Sequence, residues 1–181
     1  VGKSTIFNAL TLTRDALVAD MPGVTRDRQY GISEVGERTC VLIDTGGLVG
    51  KAEGIDYLTA QQVHQAIEES QLVVFVVSAR DGLTIEDEEI GQLLRQHGRP
   101  VLLVGNKVDG TNPDIALAEF AAMGMGPALA VAASHRQGMS KLMELADELL
   151  PPMGEDEFEP EEDPDRIRLA IVGRPNVGKS T

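Results

Sequence analysis

Cys40 is the only cysteine in the 181 residues, so no disulfide can form within the chain. Its place in an apolar, strand-like run reads as a small buried core residue rather than a reactive thiol. Long apolar runs are also missing. Leu72–Val77 is among the longest, far short of the roughly 20 residues that a membrane-spanning helix needs. The opening Val1-Gly-Lys-Ser-Thr5 shows no charged-then-apolar leader pattern. A cytoplasmic protein without a membrane partner is therefore expected. Basic charge is scarce, with 16 Lys and Arg against 29 Asp and Glu, a formal net charge of −13. Eight of those acids fall within Glu155–Asp165, which holds no base; the remainder, 21 acids against 16 bases, carries only −5. Without a basic footprint, this piece is not expected to grip nucleic acid directly. The three histidines (His64, His97 and His135) lack metal-ligand spacing, so no metal role is assigned to them.

What is present is an α/β rhythm. A hydrophobic share of 42% suits one compact domain with a sizeable core. Strands are expected at Arg28–Val35, Thr39–Asp44, Leu72–Ser78, Val101–Asn106 and Ala128–Val131. Leu72–Val77, apolar throughout, fits a strand covered on both faces. Between the strands lie expected helices at Lys3–Leu12, at Asp56–Ser70 and after an N-cap at Thr84, whose capping partner is Asp87. Asn112-Pro113 reads as N-cap and first residue of a helix running through Ala122. Met139–Leu150 is the last helix, stopped by Pro151-Pro152. The alternation predicts an α/β fold, a three-layer sandwich of helices around a mostly parallel sheet.

The stretch from Pro151 to Asp165 is too acidic and too poor in apolar residues to pack, and reads as a solvated linker. Beyond it, Ile167–Val172 is a new apolar strand that runs into Gly173-Arg-Pro-Asn-Val-Gly-Lys-Ser-Thr181. Val1-Gly-Lys-Ser-Thr5 recurs at Val177–Thr181, displaced by 176 residues. The simplest reading is a tandem of similar domains cut inside a phosphate-binding loop at each end. Residues 1–150 would form a first domain without its first strand, 151–165 a linker, and 166–181 the opening of a second domain.

Three motifs carry chemistry. Gly173-x-x-x-x-Gly178-Lys179-Ser180 follows an expected strand, which is the setting a P-loop requires. Backbone N–H groups of Gly173, Asn176, Val177, Gly178 and Thr181 can turn toward a β-phosphate beside a helix start. Lys179 can reach the β- and γ-phosphates and Ser180 can bind Mg²⁺. In the first copy, Gly2, Lys3, Ser4 and Thr5 take the equivalent places. Asn106-Lys-Val-Asp109 selects the base, because the Asp109 carboxylate accepts two hydrogen bonds from a guanine edge that adenine does not offer. Asn106 would tie that loop to neighbouring backbone, and the Lys107 stem would lie over the base. Asp44-Thr-Gly-Gly47 closes a strand, so that Asp44 can hold Mg²⁺ through water and the Gly47 N–H can meet the γ-phosphate. Thr25, in Pro22–Arg28, is the candidate second Mg²⁺ hydroxyl, on a loop ordered by the γ-phosphate.

P-loop, Thr25, Asp44–Gly47 and Asn106–Asp109, in that order, resemble the translation-factor-related GTPases. Pro22–Arg28, Asp44–Gly47 and the repeated loop are similar to one branch in particular, the Der (EngA) proteins. The resemblance implies two GTPase domains in tandem followed by a KH-like domain, GTP and GDP as ligands, and a switch that assists assembly of the large ribosomal subunit. An Era- or MnmE-like GTPase acting in RNA processing or modification is the neighbouring alternative, and a fragment that binds nucleotide weakly without turnover is another. The family's guanine-contacting Ser-Ala pair appears here as Ala132-Ala133, and the Ala133 N–H would still meet the guanine carbonyl. Leu48 follows the Asp44–Gly47 motif where Ras-like enzymes place a glutamine that orients water. Similar GTPases compensate with K⁺ held by the P-loop asparagine, here Asn176, so slow, ion-dependent hydrolysis is expected.

The repeat has a structural consequence. In P-loop GTPases the first strand is central, between the strands expected at Thr39–Asp44 and Leu72–Ser78. An empty slot there would leave two rows of backbone groups unpaired. Ile167–Val172 nearly duplicates the absent sequence, and a fifteen-residue linker reaches roughly 50 Å when extended. It is therefore expected to pair in parallel with both neighbours. Gly173–Thr181 would then supply the phosphate loop, with Val1–Thr5 displaced or competing. A strand-swapped dimer would satisfy the same slot.

Overall fold

The computed structural model describes residues 2–11, 29–45, 57–152 and 167–173. In chain order these form α1 (Lys3–Leu10), β1 (Gln29–Val35), β2 (Arg38–Asp44), α2 (Tyr57–Glu69) and β3 (Leu72–Ser78). They continue with α3 (Ile85–His97), β4 (Val101–Asn106), α4 (Pro113–Leu117), β5 (Leu129–Val131), α5 (Met139–Leu149) and β6 (Ile167–Val172).

One six-stranded sheet orders these as β1-β2-β6-β3-β4-β5. Only the β1–β2 hairpin is antiparallel, and every other pairing is parallel. Strand β6 lies where the sequence places it. Leu169 faces Leu42 on β2 and Leu72 on β3, and Ile171 faces Asp44 and Val74. Beyond its ladders, the Gln71 N–H donates to the Arg168 carbonyl at 2.8 Å, and the Arg168 N–H donates to Gln71 Oε1 at 2.5 Å.

Alternation along the strands builds two cores. Leu72, Val74 and Val76 on β3, with Leu42, Val104, Leu169 and Ile171, meet Ile6, Phe7 and Leu10 of α1 and Leu142 and Ala146 of α5. Val73, Phe75 and Val77, with Ile43, Leu103, Ala170 and Val172, meet Ala66 and Ile67 of α2, Leu94 of α3 and Phe120. Strand β3 is buried on both faces and is accordingly apolar from Leu72 to Val77, ending on buried Ser78.

Helix boundaries follow local chemistry. Thr84 caps α3 with a complete capping box, in which the Asp87 N–H donates to Thr84 Oγ1 and the Thr84 N–H to Asp87 Oδ2, each at 3.3 Å. Gly98, at φ 65°, ends that helix. Helix α1 stops at Leu10, two residues earlier than expected, where extended Thr11 donates its N–H to Phe7. The helix expected through Ala122 is shorter. Its α-turns end at Leu117 and the chain tightens into a 3-10 segment, Ala118–Met123, that buries Phe120 and Met123.

Cys40 is wholly buried, as read, and burial raises its thiol pKa from 9.0 to about 11. The folded chain keeps the thiol proton longer than the unfolded one does. This stabilising contribution is therefore complete below pH 9 and is lost as pH rises toward 11. Iodoacetamide at pH 8 should leave Cys40 unlabelled in the native protein and label it in urea. Rapid labelling of the native protein would contradict the burial.

Candidate functional site

Four of the alternating strand positions that face α1 change from apolar to polar or glycine at the carboxyl ends of their strands. Leu42 is followed by Asp44, Ile171 by Gly173, Val76 by Ser78 and Val104 by Asn106. All four end positions are buried. They line the end of the sheet above the first turn of α1, and strand order reverses direction around β6, where α/β sheets place their ligands.

Helix α1 enters this rim without a side-chain cap. Gly2 precedes it at φ 89°, and a Cβ there would stand 2.4 Å from Asn106 Nδ2, so only glycine lets the loop pass. Lys3 is buried at 5% exposure and donates from Nζ to the Gly173 carbonyl. A Cβ on Gly173 would lie 2.5 Å from the Val76 carbonyl and 3.2 Å from Lys3 Cδ, so glycine also makes room for the lysine stem. Burial lowers the Lys3 pKa to about 8, against the opposing pull of the Asp44 carboxylate. Ser4 Oγ donates to Asp44 Oδ2 at 3.2 Å. Helix start, ammonium, hydroxyl and carboxylate thus converge as an anion-and-cation site demands.

The loop after β4 is built for close approach. Asn106 Oδ1 accepts the Ala133 N–H at 3.1 Å, tying the loop after β4 to the turn after β5. Lys107 is held in the left-handed region at φ 67°, rare for a side chain of its length. Thr111 donates its N–H and its hydroxyl to the Val108 carbonyl at 3.1 and 2.8 Å, closing the turn around half-exposed Asp109. The Ala133 N–H, expected to face a guanine carbonyl, donates to Asn106 Oδ1 in this structure. Seen with Asn106, that amide first serves to hold two loops together.

Of the residues singled out from sequence, the structure brings Gly2, Lys3, Ser4, Asp44, Asn106 and Gly173 to one rim. Thr5 follows on the first turn of α1, and Lys107, Asp109 and Ala133 lie on the adjoining loops. Thr25, Gly47, Leu48, Asn176, Val177, Gly178, Lys179, Ser180 and Thr181 lie outside the described residues. Gly2–Thr5 is seated beneath the end of β6, while Val1 lies outside the described residues.

Sequence reading missed two neighbours of the site. Thr45, an unspecified position of its motif, donates its hydroxyl to the Ile171 carbonyl at 2.7 Å and pins the motif to β6. Ser78 is fully buried with its hydroxyl unpartnered, a spare donor at the same rim. Away from the site, His64 Nδ1 and His97 Nε2 meet at 2.8 Å between α2 and α3, a pairing 33 residues apart that no spacing rule shows.

This sheet order, with a helix start, a buried lysine and the Asn106–Asp109 loop at its carboxyl edge, fits a P-loop GTPase domain. A family profile for 50S ribosome-binding GTPases matches residues 1–107, and the chain belongs to that family. It is 54% identical over 181 residues to GTPase Der of Thioalkalivibrio sulfidiphilus (strain HL-EbGR7). It is also 53% identical over 182 residues to GTPase Der of Stenotrophomonas maltophilia (strain K279a). Both matches cover 100% of this chain and 39% of the relative's length. The resemblance to Der read from the motifs is thereby borne out. Among solved structures, a variant of Aquifex aeolicus Era bound to GDP.AlF4- shares the fold at a TM-score of 0.67 and 24% identity. That match covers 84% of this chain and 54% of the other. The cytosolic domain of the T. maritima FeoB transporter does so at a TM-score of 0.63 and 22% identity, covering 84% and 60%.

Replacing Asn106 by alanine strands the buried Ala133 N–H without its acceptor. Asn106→Ala should lower unfolding free energy by about 1–3 kcal/mol in urea titration; a change below about 0.5 kcal/mol would remove the bridging role.

Proposed function

We propose that this chain is the guanine-nucleotide-binding part of a cytoplasmic GTPase switch that serves assembly of the large ribosomal subunit. The observation that carries the reading is the convergence of Lys3, Ser4, Asp44 and Gly173 beside the Asn106–Asp109 loop. The high identity to GTPase Der and the match to 50S ribosome-binding GTPases support the ribosomal role. Among the described residues no helix is long and apolar enough to cross a membrane.

Each residue has a definite task. The ammonium of Lys3 neutralises phosphate oxygens, at a site whose low solvent access strengthens the attraction. The first amides of α1 donate to the same oxygens. Asp109 accepts from the guanine edge. Ser4 and Asp44, an oxygen pair 3.2 Å apart, fit the hard-oxygen preference of Mg²⁺, and Thr25 would add a further hydroxyl. When bound, Mg²⁺ withdraws charge from the phosphate oxygens. Hydrolysis adds water to the γ-phosphorus, and the β–γ bridging oxygen leaves with GDP. The Gly47 N–H would meet the departing γ-phosphate. Leu48 supplies no polar group to orient that water, so turnover is slow and rises with K⁺ held through Asn176.

Titration with fluorescent GDP and ADP tests the reading: tight GDP binding with ADP at least 100-fold weaker is expected, and equal affinities would sink it. Asp109→Asn should weaken GTP by about 100-fold, roughly 2.8 kcal/mol, and favour xanthosine triphosphate, whose 2-oxo group accepts where guanine donates. Unchanged GTP affinity would remove Asp109 from the base site. Leu48→Ala should change single-turnover hydrolysis less than about tenfold, or 1.4 kcal/mol; a hundredfold collapse with binding intact would assign Leu48 a catalytic part.

A further inference from the structure

Spacing in sequence gives the histidines no metal role, but the fold brings two of them together. His64 on α2 and His97 on α3 approach ring to ring, with Nδ1 of the first 2.8 Å from Nε2 of the second. The ring planes cross at 60° with centroids 4.9 Å apart, so the rings meet by their nitrogen edges rather than face to face. Both residues are half-buried, so solvent reaches the pair. The backbones that carry the rings are well held. Ala66 and Ile67, just past His64, are wholly buried against the sheet, as is Leu94 one turn before His97. Further along α2, Arg99 Nη2 donates to the Glu68 carbonyl at 2.7 Å and ties that helix to the chain just past α3.

A neutral pair holds one proton between the two nitrogens, and either ring can be the donor. Moving that proton to the outer nitrogen of the donor ring frees both inner nitrogens as ligands, with no net proton lost. Metal–nitrogen bonds of about 2.0–2.1 Å set two cis nitrogens of a tetragonal ion roughly 2.9 Å apart. The observed separation needs almost no opening to meet that span. Two imidazoles select a borderline transition ion, Ni²⁺, Cu²⁺ or Zn²⁺, over Mg²⁺, which takes oxygen. Among the described residues no third histidine, cysteine or carboxylate joins them, and water fills the positions left open.

We propose that His64 and His97 form a two-imidazole site for a divalent transition ion that clamps α2 to α3. The ion exchanges one hydrogen bond for two metal–nitrogen bonds, and so fastens the first helix after the Asp44–Gly47 motif to its neighbour. Helices α2 and α3 cover the face of the sheet opposite α1, so the site is distinct from the Ser4–Asp44 oxygen pair. The inference is independent of the nucleotide reading.

The experiment titrates Ni²⁺ into the 181-residue chain, washed with chelator and free of any histidine tag, with excess Mg²⁺ present to occupy oxygen sites. Calorimetry and urea unfolding with and without Ni²⁺ compare the unaltered chain, the double variant His64→Asn, His97→Gln, and His135→Gln. Asparagine and glutamine place an amide near where each ring nitrogen stood, so the double variant can keep a hydrogen bond between the helices while losing both imidazoles. One equivalent of Ni²⁺ should bind the unaltered chain and His135→Gln and raise the urea midpoint of both. The double variant should bind at least tenfold more weakly and show no Ni²⁺-dependent shift. Should it fail to fold, His64→Gln and His97→Gln, each leaving one ligand, are held to the same tenfold criterion. A smaller loss, an equal loss in His135→Gln, or no Ni²⁺ binding by the unaltered chain overturns the site and leaves the pair a hydrogen bond.

Discussion

The ladders on either side of β6 are the interaction on which the rest of this structure depends. Without them β2 and β3 would each present a full edge of N–H and C=O groups to the middle of the molecule, where no water could satisfy them. The same strand also closes both cores. Leu169 and Ile171 fill the layer under α1 and α5, while Ala170 and Val172 fill the layer under α2 and α3. A strand that served only one face would leave the other helix pair without a floor.

The placement of β6 also makes the site. Parallel strands end together, so their last residues form a row, and alternation sends one row of side chains toward α1. Aspartate, glycine, serine and asparagine occupy that row in place of the aliphatic residues below them. Gly173 matters for what it lacks, since a single methyl group would collide with the Val76 carbonyl and the Lys3 stem. Holding an ammonium in so dry a place costs solvation, which is why its pKa falls although a carboxylate is nearby. Phosphate oxygens are the partner best able to offset that cost.

Packing and polar ties support this rim at a distance. Asn106 reaches from the end of β4 to the turn after β5 and to the start of α1. At the opposite end of the sheet, Arg38 on β2 pairs with Asp147 of α5 at 3.4 Å and donates to the Pro151 carbonyl, fixing where the last helix stops. With α1 and α5 both clamped to β2, the helix layer beneath the site is held from two directions.

Much of this was legible in the residues. Apolar strands with a period of two, the Thr84 capping box, the Asn112-Pro113 helix start and the ordered motifs are local signals, decided by neighbours a few positions apart. The repeated Val-Gly-Lys-Ser-Thr even pointed to the slot that β6 would fill, because a near-duplicate strand carries the side chains the slot requires. Tertiary structure decided what depends on groups distant in sequence. It set the shortening of α4 into a 3-10 segment so that Phe120 could be buried, and it gave the Ala133 amide to Asn106. It also drew Thr45 to Ile171 and His64 to His97. Above all, it brought Lys3 to Gly173, 170 residues away in sequence. The anchoring of Ile6, Phe7 and Leu10 in the core places Lys3 there, because a buried apolar face holds its helix more firmly than any single polar contact does.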